Sequence, residues 1–136
     1  MQGPAGADGA AGATGPAGPS VGTAAFGYAT GAGGTVTQLT NKTTGVTLNK
    51  LCGQITTNGA ALAAAAEVSF TVTDSQVAAT DVVVVCVQSG GTAGAYLVTV
   101  GAVAAGSFKI TISNASAGSL SEALVLNFVV IKSVAA

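Results

Sequence analysis

The sequence predicts a mainly β, trimeric protein in which a short N-terminal collagen-like triple helix precedes an antiparallel, jelly-roll-like β-sandwich. Three observations support this fold class: glycine at every third position near the N-terminus, apolar residues alternating with Thr and Ser over most of the rest, and turn-forming residues between the alternating segments. We therefore divide the chain into a Gly-X-Y stem (1–20), a Gly/Ala-rich linker (21–34) and a β-sandwich trimerisation domain (35–136).

The stem is a run of six Gly-X-Y triplets that ends at Ser20. Its glycines are Gly3, Gly6, Gly9, Gly12, Gly15 and Gly18, and all three prolines of the chain stand in X positions. This phase is typical of a triple helix, because only glycine fits where three polyproline-II chains meet. A flexible Gly/Ala/Pro linker is the alternative, although linkers do not keep strict phase. Since no proline occupies a Y position, we expect the following domain to hold the three chains in register.

The β-domain is expected from segments with period-two alternation or continuous apolar character. These segments are 36–40, 46–48, 54–57, 68–73, 81–88, 96–100, 108–113 and 124–132. Turn-type sequences such as Asn58-Gly59 and Ala105-Gly106 separate them, which indicates a sandwich or jelly roll. The exception is Ala60–Ala66, an Ala/Leu run that fits either one or two helical turns or a bulged strand.

Two strand segments are apolar on both faces. They are Val82–Val87 and Leu124–Ile131, the second interrupted by Asn127. The first has the pattern of a central strand that is covered on both faces. We consider both segments candidates for positions between the core and a subunit interface. The alternative is that both are simply central strands of the sandwich.

The composition excludes several classes of function. Charged residues make up 7% of the chain, the net charge is −1 and there is no His. The scattered lysines form no cluster that would bind a phosphate backbone, so we expect no nucleic-acid partner. Without His, neither Ser–His nor Cys–His catalysis is available, and two thiols alone cannot complete a usual zinc site. We therefore expect no enzyme activity, catalytic residue, metal or cofactor.

The remaining functional candidates have structural interpretations. No run reaches the roughly 18 apolar residues of a spanning helix, so we expect no membrane insertion. Asp74 and Asp81 stand at strand ends, where carboxylates most often cap turns. Cys52 and Cys86 either pair in a disulfide or remain buried thiols. We favour free thiols, because Met1 leads into the triplets without a secretory signal. This beginning fits either assembly in the cytoplasm or a Met1 that is not the natural start.

The segment from about Thr35 to Lys132 resembles a known kind of domain. It carries TGVTLNKLCGQITTN, VSFTVTDS, AATDVVVV, AVAAGSFKITISN and AGSLSEALVLNFVVIK. In these motifs it is similar to a small β-domain at the C-terminal end of tailed-bacteriophage structural proteins, which collagen-like triplets often precede. The resemblance implies a trimeric virion fibre or capsid-decorating protein that is assembled in the host cytoplasm. Its motifs are structural and imply no catalytic or receptor-binding residues.

Our leading hypothesis is a non-enzymatic head fibre or decoration protein on a phage capsid. Its partners are two further copies of the chain and a capsid or other virion protein. One alternative is the receptor-binding tip of a phage tail fibre, whose partner is a host cell-surface receptor. Another is a bacterial or spore-surface collagen-like protein with a jelly-roll head.

Overall fold

The computed structural model describes residues 2–13 and 27–135, and residues 33–131 form a β-sandwich of two four-stranded sheets. No helix occurs among these residues. The strands are β1 (Gly33–Thr37), β2 (Val46–Thr47), β3 (Cys52–Thr56), β4 (Glu67–Thr73), β5 (Val82–Ser89), β6 (Tyr96–Ala104), β7 (Ser107–Asn114) and β8 (Val125–Ile131). The mainly β prediction is thereby confirmed, and the first strand begins inside the segment that we assigned to the linker.

The strand order is β1-β3-β8-β5 in the first sheet and β2-β4-β7-β6 in the second. Four strand pairs in the described residues are antiparallel, as predicted. The pairs β1–β3 and β2–β4 are parallel, so the prediction of an antiparallel sandwich is wrong for the two edge strands β1 and β2. The reason lies in the connections. The first six strands alternate between the sheets, and a chain that crosses over and returns can run in its original direction.

The hydrophobic core lies between the two sheets. Phe108, Ile110 and Ile112 of β7 are fully buried, as are Leu126 and Val130 of β8. These positions are two residues apart, because alternate side chains of a strand point to the same face. The two layers meet at an aromatic pair in which the Phe108 and Phe128 ring centres are 5.5 Å apart and tilted by 51°. The alternation in the sequence therefore predicted the inward faces correctly.

The segment Val82–Val87 does not form the doubly covered central strand that its pattern suggested. β5 pairs only with β8 in its sheet and so lies at the edge. Val83 is buried, whereas its neighbours Val82 and Val84 are 50% and 48% exposed. The segment Leu124–Ile131 does contain a central strand, since β8 lies between β3 and β5.

Neither expected conformation is found for Ala60–Ala66. Leu62 makes a single bridge to Leu120 with hydrogen bonds in both directions, 2.8 and 3.0 Å long. A turn follows, in which Ala65 has a φ of 55°. The segment contains little to favour a strand, and the buried Leu62 side chain fixes it against the core as irregular chain.

Candidate assembly surface

The outer faces of the two sheets differ in chemistry. On the second sheet the outward positions of β4 and β7 carry mainly Ser and Thr, with Glu67 and Lys109. Their side chains bond to one another across the strands: Ser69 to Thr111 at 2.7 Å, and the Ser113 hydroxyl to Glu67 at 2.8 Å. Along β4 and β7 this face is polar and internally hydrogen-bonded, as is usual for a surface in contact with water. The edge strand β6 adds one apolar side chain, Leu97, which is 61% exposed.

The outer face of the first sheet is apolar along β5 and β8, apart from Asn127 of β8. We call this surface the apolar face; it consists of Val82, Val84, Cys86, Val125, Val129 and Ile131. Each of these residues alternates with an inward-facing one, so the same strands supply both the core and this surface. No charged residue occupies an outward position in any of the four strands. Contiguous apolar surface of this kind typically marks an interaction site.

A shallow depression adjoins the apolar face where β3 and β8 pair. It has a volume of about 230 Å³ and is lined by Cys52, Gly53, Gln54, Asn127 and Phe128. The Asn127 Oδ1 atom is buried there, and no hydrogen-bond partner for it exists among the described residues. A buried amide oxygen without a partner is uncommon and calls for an explanation.

The described part of the linker contacts the sandwich at one end of the first sheet. The Tyr28 hydroxyl donates a hydrogen bond to the carbonyl of Val130, close to the end of β8. β1 then begins at Gly33, opposite Cys52 of β3. Residue 28 is thus held at the end of the first sheet where Ile131 and Val82 lie.

The structure describes four of the six stem glycines. Gly3, Gly6, Gly9 and Gly12 lie in the segment 2–13, which is exposed and has no regular secondary structure, and a Cβ atom on any of them would meet no atom within 4 Å. Contacts of the described residues therefore give no reason for glycine at these four positions. Gly15 and Gly18 lie outside the described residues, and the triple helix itself stays a prediction.

The two cysteines both face outward on the first sheet but are far apart. Cys52 pairs with Val129 on one side of β8, and Cys86 pairs with Asn127 on the other. Two strand spacings of about 4.8 Å and an offset of two residues place their Cα atoms about 12 Å apart. A disulfide requires less than about 7 Å, so the two thiols of one chain are free. Contrary to our expectation of buried thiols, Cys86 is exposed.

The predicted turn-capping role of the two strand-end aspartates agrees with the structure. Asp74 accepts a 3.0 Å hydrogen bond from the amide of Gln76, and its burial raises the pKa of its carboxyl group. Asp81 accepts a 2.8 Å hydrogen bond from the amide of Ala78 and forms an ion pair with Lys132 at 2.5 Å. The Lys132 hydrogen bond lowers the pKa of Asp81. Both carboxylates therefore close turns beside the strands that they flank.

A buried lysine is the polar residue that the sequence did not reveal. Lys42 is only 3% exposed, and its ammonium group donates hydrogen bonds to the carbonyls of Asn58 and Glu122. Its burial lowers the pKa of Lys42, an effect that the nearby Glu122 carboxylate opposes. The bonded carbonyls lie 16 and 80 residues away, so no local pattern could have indicated this contact. Lys42 joins three loops and has a structural role.

A second set of polar contacts is centred on Glu122. Its carboxylate accepts hydrogen bonds from the Thr92 amide at 3.0 Å and from the Thr92 hydroxyl at 2.9 Å, and these contacts lower the pKa of Glu122. Burial and the neighbouring Glu122 raise the pKa of Tyr96 to about 12, although the Tyr96 hydroxyl makes no hydrogen bond of good geometry. These contacts fix the loop between β5 and β6.

Comparisons with protein-family models, curated proteins and solved structures found no match to this chain. In the described residues, no three His, Cys, Asp or Glu side chains lie close enough to hold a metal ion. Residues 2–13 and 27–135 also contain no helix long and apolar enough to cross a membrane.

Proposed function

We propose that this chain is a non-enzymatic structural protein of a phage virion, a trimeric fibre or decoration protein attached to the capsid. The observation that carries the proposal is the contrast between the outward residues of β5 and β8 and those of β4 and β7. A solitary sandwich would have little reason to expose Val82, Val84 and Ile131 along one strand pair while placing hydrogen-bonded Ser and Thr along the other. A permanent assembly explains the contrast, because it removes the apolar face from water.

The stem supports the same proposal from the sequence. Six triplets would extend about 55 Å at about 3.1 Å per residue, which suits a spacer between a globular head and its point of attachment. A triple helix needs three chains, and the sandwich offers each chain a surface for association. The trimer of sandwiches acts as the clamp, and the stem is its projecting or attaching arm.

The test of location uses virions of the phage that encodes the chain. Antibodies against the sandwich should detect the protein on purified particles, and a deletion mutant should still adsorb to host cells. We expect the deletion particles to lose resistance to heat or osmotic shock, since a decoration protein stabilises the shell that it covers. Absence from particles contradicts the proposal and favours a bacterial or spore-surface protein. Loss of adsorption with unchanged shell stability favours the tail-fibre tip.

The test of the clamp compares the mass in solution of the full chain with that of a chain lacking residues 1–20. Both should be trimers if the sandwich holds the three chains together. In the full chain, Gly9→Val should disorder the stem, measured as loss of the triple-helix circular dichroism signal, and leave the sandwich folded. A monomer after truncation would show that the stem drives assembly.

A further inference from the structure

We infer that the apolar face is the surface through which three copies of this chain pack, each turning its first sheet toward a common axis. The inference rests on the proposed trimeric function and adds the surface, the residues and the direction of the axis.

The chemistry of the apolar face suits this contact. β5 and β8 together present a strip about 10 Å wide and about 24 Å long, given the spacings of strands and residues, and this strip would form the centre of a larger interface. Val82, Val84 and Ile131 on this strip remain 50%, 48% and 40% exposed in the single chain. Because the outward positions of this sheet carry no charge, three identical faces meet without like-charge repulsion.

The stem identifies the occupant as further copies of the same chain. Gly-X-Y triplets require two partner chains at the same axis. Tyr28 holds the end of the linker against the carbonyl of Val130, which precedes Ile131 of the apolar face. In each of the three chains that the stem would gather, the linker therefore meets the sandwich at one end of the strand that carries this face.

Asn127 is the polar residue within the apolar face. It occupies an outward position of β8, between Cys86 and Gln54 in the strand register. A polar residue within an otherwise apolar contact fixes register and number of chains, as a single buried asparagine does in coiled coils.

The inference is tested with matched charge substitutions in the full chain. Val84→Lys places a charge on the apolar face, and Leu97→Lys places the same charge at a 61% exposed position on the other sheet. Lysine on a β5 edge position is compatible with the folded monomer. Sedimentation equilibrium should show a rise of at least about tenfold in the chain concentration at which half the chains are trimeric for Val84→Lys, and no change for Leu97→Lys. If Val84→Lys fails to fold, the milder Val84→Thr should still raise the chain concentration at which half the chains are trimeric.

Cys86 provides a second readout on the same face. In a Cys52→Ala background, iodoacetamide should label Cys86 slowly in the trimer and at the rate of the unfolded chain in Val84→Lys. A Val84→Lys or Val84→Thr trimer as stable as the unsubstituted one, or a Cys86 thiol that reacts fully within the trimer, overturns the surface while leaving the trimer intact. A monomeric full chain overturns the proposed trimer itself. If that monomer also protects Cys86, residues of the same chain cover the face.

Discussion

Removal of the Phe108 ring tests whether the sandwich is held together at the contact between its sheets. Phe108 of β7 is completely buried, and its ring faces that of Phe128 of β8 at 5.5 Å. We expect Phe108→Ala to lower the free energy of unfolding by about 3–5 kcal/mol, because the lost ring leaves a cavity between two sheets that cannot close independently. That loss is a large fraction of the roughly 5–15 kcal/mol by which domains are stable.

The assay is urea unfolding followed by far-ultraviolet circular dichroism at one fixed chain concentration, since assembly adds to stability. With a urea dependence of about 2 kcal/mol per M, the midpoint should fall by about 1.5–2.5 M. A double-mutant cycle with Phe128→Ala should give a coupling energy of about 0.5–1.5 kcal/mol for the ring pair. Leu97→Ala, at an exposed position, is the matched control and should change the midpoint little. A cost below 1 kcal/mol for Phe108→Ala would refute the reasoning.

Three further outcomes are expected. Gly91→Ala should lower the free energy of unfolding by about 2–5 kcal/mol in thermal unfolding, because φ of Gly91 is +74° and a Cβ there would lie 2.4 Å from Leu124 Cδ2. Gly94→Ala is the control: φ of Gly94 is +76° but its Cβ would meet no atom, so the loss should be only about 1–2 kcal/mol. Asp81→Asn should remove a stabilisation that is complete above about pH 4 and fades as the pH falls. The reason is that Lys132 lowers the pKa of Asp81 in the folded chain, so that the unfolded chain takes up the proton first. A difference in unfolding free energy between variant and parent that stays constant from pH 7 to pH 2 contradicts this. Unreduced, denatured protein should titrate two thiols per chain with Ellman's reagent, and fewer would mean that cysteines pair within or between chains.

The sequence predicted those strands whose own faces determine their environment. In β4 and β7, inward-facing apolar residues alternate with Ser, Thr or charged residues. This period of two predicts both that the segment is a strand and which of its faces is buried. The turns after Ser89 and Ala105 were equally predictable, because Gly90 and Gly106 adopt positive φ.

The sequence could not show what covers a strand. Val82–Val87 is apolar on both sides whether a neighbouring sheet, another chain or water lies beyond it, so its pattern suggested a central strand and its place at an edge emerged only from the pairing with β8. The parallel pairing of β1 with β3 depends on crossovers between the sheets, which leave no periodic signal. The buried Lys42 likewise depends on carbonyls from distant loops. Long-range contacts decided each of these features.

The parallel pairing of β1 with β3 has a mechanical consequence for the proposed arm. Tension on the residues before β1 would reach the sandwich through the Tyr28 hydrogen bond and through β1. Gly33 to Thr37 lie in register beside Cys52 to Thr56. A force along β1 would therefore act in shear on all five residue pairs at once, whereas a strand that is peeled from one end loses its pairs one at a time. An arm joined in this way can carry load into the sheet that also presents the apolar face.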